Sequence, residues 1–260
     1  VMIAWSTPGA AVLATAGIAG GFSMAEAIGA FMVCGALITL AGATGWFERV
    51  MNRIPVAIAS ALLAGVLARF GLQAFAAAQT ALVLVVLMLL AYLLGRRLAP
   101  RYAVIVTLAV SLVWVGFTGQ FNTGALTLEL AVPVFTAPEF SLAALTSLAL
   151  PLFVVTMASQ NLPGVAAIRT AGYDRMPISN IITLTGAATL VLAPFGAFAL
   201  NLSAITAAIC MGPEAHPDPN KRYTATVVSG VLYAAIGLVG AAVTALLFAF
   251  PRELVLAIAG

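Results

Sequence analysis

Three clusters of small polar residues interrupt the apolar stretches of this chain. Trp5-Ser6-Thr7 stands before Pro8-Gly9, Ser159-Gln160-Asn161 before Leu162-Pro163-Gly164, and Asn201-Leu202-Ser203 follows Pro194-Phe195-Gly196. Hydroxyls, amides and backbone N–H groups released by a helix break can bind an anion or a hydrogen-bonding ligand without bond chemistry. Nothing beside them suggests catalysis. There is no nucleophile–base pair and no phosphate loop, so the chain does not read as an enzyme and calls for no cofactor. His216 is the sole histidine and no metal-ligand spacing occurs. Cys34 and Cys210 lie in apolar runs, where a free cysteine is a packing residue. Glu26 is the one acid inside an apolar run. It could carry a proton, although a glutamate in a helix first turn is favourable in its own right.

The medium that positions these clusters follows from composition. The chain is 63% hydrophobic and 7% charged, against about 25% charged in an ordinary soluble domain. Its mean hydropathy is +1.14. Too few polar side chains exist to cover a soluble surface, so lipid faces most of the molecule. In lipid the backbone must satisfy itself, which leaves helices or a closed barrel. The apolar runs have the length of helices and lack the alternation of a membrane barrel. The small net charge of +3 comes from loop arginines and forms no basic face, which argues against nucleic-acid binding. Both ends fall in apolar sequence, and the expectation is a fragment of a longer protein.

Helical spans are expected near 24–45, 55–72, 76–95, 101–118, 141–162, 177–193 and 223–250, with a further one opening at Pro251. A polar loop holding Gln120, Asn122, Glu129 and Glu139 divides them. Two segments differ from the rest. The first, residues 1–19, should enter extended and turn helical near Thr7, since Pro8 suits a first helical turn and Ser6 or Thr7 an N-cap. About 12 residues then remain before Gly20-Gly21, too few to span a bilayer. The second, residues 195–212, breaks at Pro194 and Gly196, with Asn201 and Ser203 as candidate caps of another half-span. If both count as crossings, nine of the eleven basic residues fall on one side, which the positive-inside rule makes cytoplasmic. Arg69 and Arg252 are the exceptions. The two broken segments then run in opposite directions, as in an inverted repeat. Paired half-helices mark the binding site of many secondary transporters, and their N-termini favour an anion.

At these residues a family resemblance appears. The motifs Ala4-Trp5-Ser6-Thr7-Pro8-Gly9-Ala10, Ser159-Gln160-Asn161-Leu162-Pro163-Gly164, Arg169-Thr170-Ala171-Gly172-Tyr173 and Ala193-Pro194-Phe195-Gly196, with the run 207–221, resemble those of the benzoate/proton symporters of the BenE type. That family is related in fold to uracil permease and the sulfate transporters. The resemblance implies an all-α, polytopic inverted-repeat fold of seven plus seven segments, with this chain running from about the third into the twelfth. It implies core-domain residues 1–45 and 141–250, gate-domain residues 46–118 and 251–260, and an extracytoplasmic loop at 119–140. The implied activity is proton-coupled import of benzoate or a similar aromatic carboxylate by alternating access across a bacterial inner membrane. A homodimer is compatible with it. An uncoupled anion channel or facilitator on the same scaffold is the alternative.

A benzoate-like substrate needs donors for its carboxylate and an apolar slot for its ring. Ser6 and Thr7 supply donors at the first break, and Asn201, Leu202 N–H and Ser203 at the second. Trp5 could wall the slot or anchor at the membrane interface. Phe198 and Phe195 flank the second break. Ser159, Gln160 and Asn161 either contact substrate or bridge helices. In the related uracil-permease fold a substrate-binding carboxylate lies near the position of Ser159, and its absence here suits an anionic substrate. Glu26 is the candidate for proton coupling.

Overall fold

In the computed structural model the described residues are 1–6, 9, 13, 20–53, 57, 68, 71–72, 75–119, 130–240, 251 and 254. Strand β1 (Ile3–Trp5) opens the chain, followed by α1 (Met24–Ala43) and the short α2 (Trp46–Met51). Next come α3 (Leu82–Leu98) and α4 (Ala103–Phe117), then one long helix, α5 (Leu142–Thr170). The chain ends with α6 (Ile178–Leu192), strand β2 (Leu200–Leu202), α7 (Ile205–Met211) and α8 (Tyr223–Leu238). Most of the expected span near 55–72 and of the first half-span after Thr7, the charges Arg69, Arg252 and Glu253, the loop residues Gln120, Asn122 and Glu129, and residues 241–250 lie outside the described residues.

Two compact units divide the chain. The first holds Val1–Leu63 and Pro133–Thr226, the second Ala64–Val132 and Val227–Gly260. In the first, α1 and α6 pack antiparallel at backbone contact. A Cβ on Gly186 would stand 2.5 Å from Thr39 N and 2.8 Å from Gly35 C=O, and one on Gly42 would meet Thr183 N at 2.5 Å. Small residues permit this approach, which substitutes for a hydrophobic drive that lipid cannot supply. Ile28, Phe31, Ile38, Leu152, Val165, Ile182 and Leu202 fill the adjoining core. In the second unit, α3 and α4 form a hairpin through a turn at Pro100–Tyr102, with Gly95 against Ala103.

Helices α1, α5 and the stretch Ile178–Phe195 are long and apolar enough to cross a membrane. Large apolar side chains such as Leu94, Ile105, Phe117, Leu184 and Val231 are exposed. On a helix of this composition such a surface faces lipid. The molecule is an α-helical membrane protein.

Helix α5 departs from the expected span, which ended at residue 162. It runs through Pro151 and Pro163 to Thr170. Each proline lies two residues beyond a π-helical turn, Leu145–Ala149 and Met157–Asn161. A proline inside an α-helix removes an N–H and clashes with the carbonyl four residues back. The wider π turn accommodates both losses, so the helix continues.

Short cross-links gather several basic loops at one end of the first unit. Arg169 donates to Asn52 Oδ1 at 2.6 Å, and Tyr173 OH donates to Pro219 C=O at 2.8 Å. The Glu48 carboxylate accepts from Ser179 N–H at 3.2 Å and from its hydroxyl, which places a negative charge at the N-terminus of α6. At the other end of α1, Glu139 N–H donates to Ala25 C=O at 3.0 Å.

Candidate functional site: a two-strand ribbon among the helices

Gly196, at φ +87°, turns the chain back after α6, and β2 then pairs antiparallel with β1. Ile3 lies opposite Leu202, Ala4 opposite Asn201 and Trp5 opposite Leu200. Beyond the strands, Ser203 N–H donates to Met2 C=O and Ser6 N–H to Ala199 C=O, both at 3.0 Å. Hydrogen-bonded and non-bonded pairs alternate along an antiparallel ladder. These two flanking bonds therefore make Ala4/Asn201 the bonded pair, and the N–H groups of Ile3, Trp5, Leu200 and Leu202 point outward.

The outer edge of β2 is closed by helix side chains. Leu200 N–H donates to Thr189 Oγ1 on α6, and Leu202 N–H to Asn161 Oδ1 on α5, both at 2.9 Å. Gly164 of α5 lets β2 lie against that helix: a Cβ there would stand 2.7 Å from Leu202 Cβ. The outer edge of β1 differs. Among the described residues the N–H groups of Ile3 and Trp5 have no partner. At 1.5 Å rise per residue, Thr189 stands about 16 Å from the start of α6 and Asn161 about 14 Å from the end of α5. Both helix ends belong to the basic end of the unit, so the ribbon lies near half the depth of a hydrocarbon core roughly 30 Å thick.

The residues singled out in the sequence divide into two groups. Ser6, Asn161, Asn201, Leu202 and Ser203 are buried and build the ribbon. Ser6 Oγ accepts from Gly9 N–H at 3.1 Å in the manner of an N-cap, and receives Thr156 Oγ1–H at 3.0 Å. In the amide orientation that satisfies both of its neighbours, Asn201 crosses the ribbon, its oxygen accepting from Ser6 N–H at 2.9 Å and its nitrogen donating to Leu202 C=O at 2.8 Å. Asn161 turns its nitrogen to Met157 Sδ at 3.1 Å. Trp5 is 68% exposed, and Ser159 and Gln160 are half-buried. Ser159, Gln160 and Asn161 all lie on the π turn of α5, a feature frequent at functional sites. Phe198 is half-buried and packs edge-to-face on Phe31, with centroids 5.0 Å apart. Thr7 lies outside the described residues.

One expectation is corrected. Neither Asn201 nor Ser203 caps α7, whose N-cap position is Ala204 with no side-chain cap. Strand pairing extends through Leu202, which draws Asn201 into the ribbon and delays the helix start. Glu26 closes a capping box with Ser23: Ser23 N–H donates to its carboxylate at 3.0 Å and Glu26 N–H to Ser23 Oγ at 3.1 Å. Sequence reasoning missed Thr156 and Thr189, both fully buried. A threonine in an apolar helix ordinarily bonds its own preceding turn, so its type and position gave no signal of a tertiary role.

The fold and the ribbon define a multi-pass membrane protein with a strand pair set among its helices. The chain belongs to the benzoate membrane transport protein family: the BenE family model matches residues 1–260. It is 47% identical to the inner membrane protein YdcO of Escherichia coli (strain K12) over 260 residues, all of this chain and 66% of that protein. It is 38% identical to the benzoate membrane transport protein of Acinetobacter baylyi (strain ATCC 33305 / BD413 / ADP1), again over all of this chain and 65% of that protein. The chain thus spans about two thirds of the length of these curated relatives. No solved structure matches it.

Proposed function

We propose that the protein is a secondary active transporter of the bacterial inner membrane that imports benzoate or a similar aromatic carboxylate together with a proton, by alternating access. The observation that carries this reading is the open outer edge of β1 beside the exposed Trp5. Non-helical backbone at membrane depth is tolerated only where it is buried in protein or lines a water-filled cavity. Two outward N–H groups, on Ile3 and Trp5, are donors suited to a carboxylate. Trp5 offers an apolar face for a ring, and Gln160 and Ser159 are polar groups within the same unit.

In this reading the two strands and their following half-helices are corresponding parts of an inverted repeat. Residues 1–45 and 141–250 carry the site as the core domain, and residues 46–118 and 251–260 belong to the gate. Family membership supports the substrate class, and the printed name of the Acinetobacter baylyi relative agrees with it. Uptake of labelled benzoate into proteoliposomes under an imposed pH gradient tests the proposal. Saturable accumulation that collapses when the gradient is dissipated is the expected result. Saturable uptake indifferent to the gradient would remove the symport claim, and a non-saturating ohmic current would favour an uncoupled facilitator.

A further inference from the structure

We propose that Thr189 is a positioning residue: with Asn161 it seals the outer edge of β2, so that a ligand reaches the backbone of the ribbon only along β1. The proposal rests on the reading that the ribbon is the substrate site.

Threonines Thr39, Thr107, Thr146 and Thr183 donate to the carbonyl four residues back in their own helices. Thr189 does the same, donating to Thr185 C=O at 2.9 Å. It alone of these five also accepts a backbone N–H from outside its helix, that of Leu200. Both functions of the hydroxyl are engaged in a site with no exposure. Leu200 N–H points outward from the ribbon and would otherwise be a donor of the same kind as Ile3 N–H and Trp5 N–H. Asn161 performs the matching task for Leu202 from a different helix. Strand β2 is therefore held from two helices at two successive outward positions, whereas among the described residues the outward N–H groups of β1 have no partner. The ribbon thereby presents a single binding edge.

Replacing Thr189 by Val keeps the shape and removes the acceptor. Replacing it by Ser keeps the hydroxyl and removes only a methyl. Two measurements separate positioning from general structure. The first is backbone hydrogen exchange of the 198–203 segment, read by mass spectrometry on the reconstituted protein. The second is the KM and turnover of labelled-benzoate uptake. Thr189→Val is expected to speed exchange at Leu200 and to raise KM, each about ten-fold, as for a buried donor that loses its acceptor. Turnover should change little, and Thr189→Ser should lie near the parent in both. Parental exchange and KM in Thr189→Val would overturn the proposal, as would a Thr189→Ser variant as impaired as Thr189→Val. If Thr189→Val does not fold, Thr189→Cys replaces it, since a thiol is a weak acceptor. Intermediate exchange is then expected, and parental exchange would overturn the proposal. If the parent protein takes up no benzoate, the transport reading fails by itself, and the exchange comparison still decides what Thr189 does.

Discussion

Single polar residues in this molecule do the work of holding irregular backbone inside an apolar interior. Asn201 links Ser6 N–H to Leu202 C=O across the ribbon, and Asn161 serves Leu202 N–H. Removing a buried partner costs the desolvation of the group left behind, about 1–3 kcal/mol. Asn201→Ala is therefore expected to lower stability by that amount in a detergent thermal melt and to abolish benzoate uptake, while membrane insertion is kept. Normal uptake by this variant would move the site away from the ribbon. Glu26 gives a prediction of a different kind. Its carboxylate is half of a capping box, and glutamine fills that position as well as glutamate does. Glu26→Gln should leave both the melting temperature and the gradient dependence of uptake near the parent. Uptake that no longer follows the gradient would instead make Glu26 the proton carrier.

Elements place these residues, and they were legible in the sequence to different degrees. Apolar length and flanking charge located α1, α4 and α6 to within a few residues. The Pro194/Gly196 pair marked where a helix gives way to extended chain, because proline and glycine act locally and leave local signals. What depended on tertiary pairing was not legible. Asn201 looks like a helix cap until β1 lies beside it. Pro163 looks like a helix end until a π turn makes room for its ring. Thr156 and Thr189 look like any threonines of an apolar helix. Helix α2, clamped through Glu48 and the Arg169–Asn52 contact, falls between the expected spans 24–45 and 55–72. Two substitutions test the packing. Gly186→Leu would force α1 and α6 apart at Thr39 and Gly35. A loss of about 1–3 kcal/mol is expected in the same thermal melt, typical of overpacking. Gly164→Val would push Leu202 outward and is expected to abolish uptake with helix content unchanged by circular dichroism. Wild-type behaviour in either variant would mean that the contact gives way without consequence.

At the scale of the whole molecule, the charge distribution predicts an orientation. Arg169 and Tyr173 are tied to the segments carrying Arg53 and Lys221 at one end of the first unit, and the positive-inside rule makes that end cytoplasmic. Cysteine placed at Arg175 should react with an impermeant maleimide only from the cytoplasmic face, and cysteine at Ser141 only from the opposite face. The central claim is that the open edge of β1 receives the substrate carboxylate. An experimental density map of the protein at saturating benzoate tests it most directly. Planar density beside Trp5, with its carboxylate accepting from Ile3 N–H or Trp5 N–H, is the expected result. Benzoate bound elsewhere, with that edge bare or covered by protein, would contradict the account.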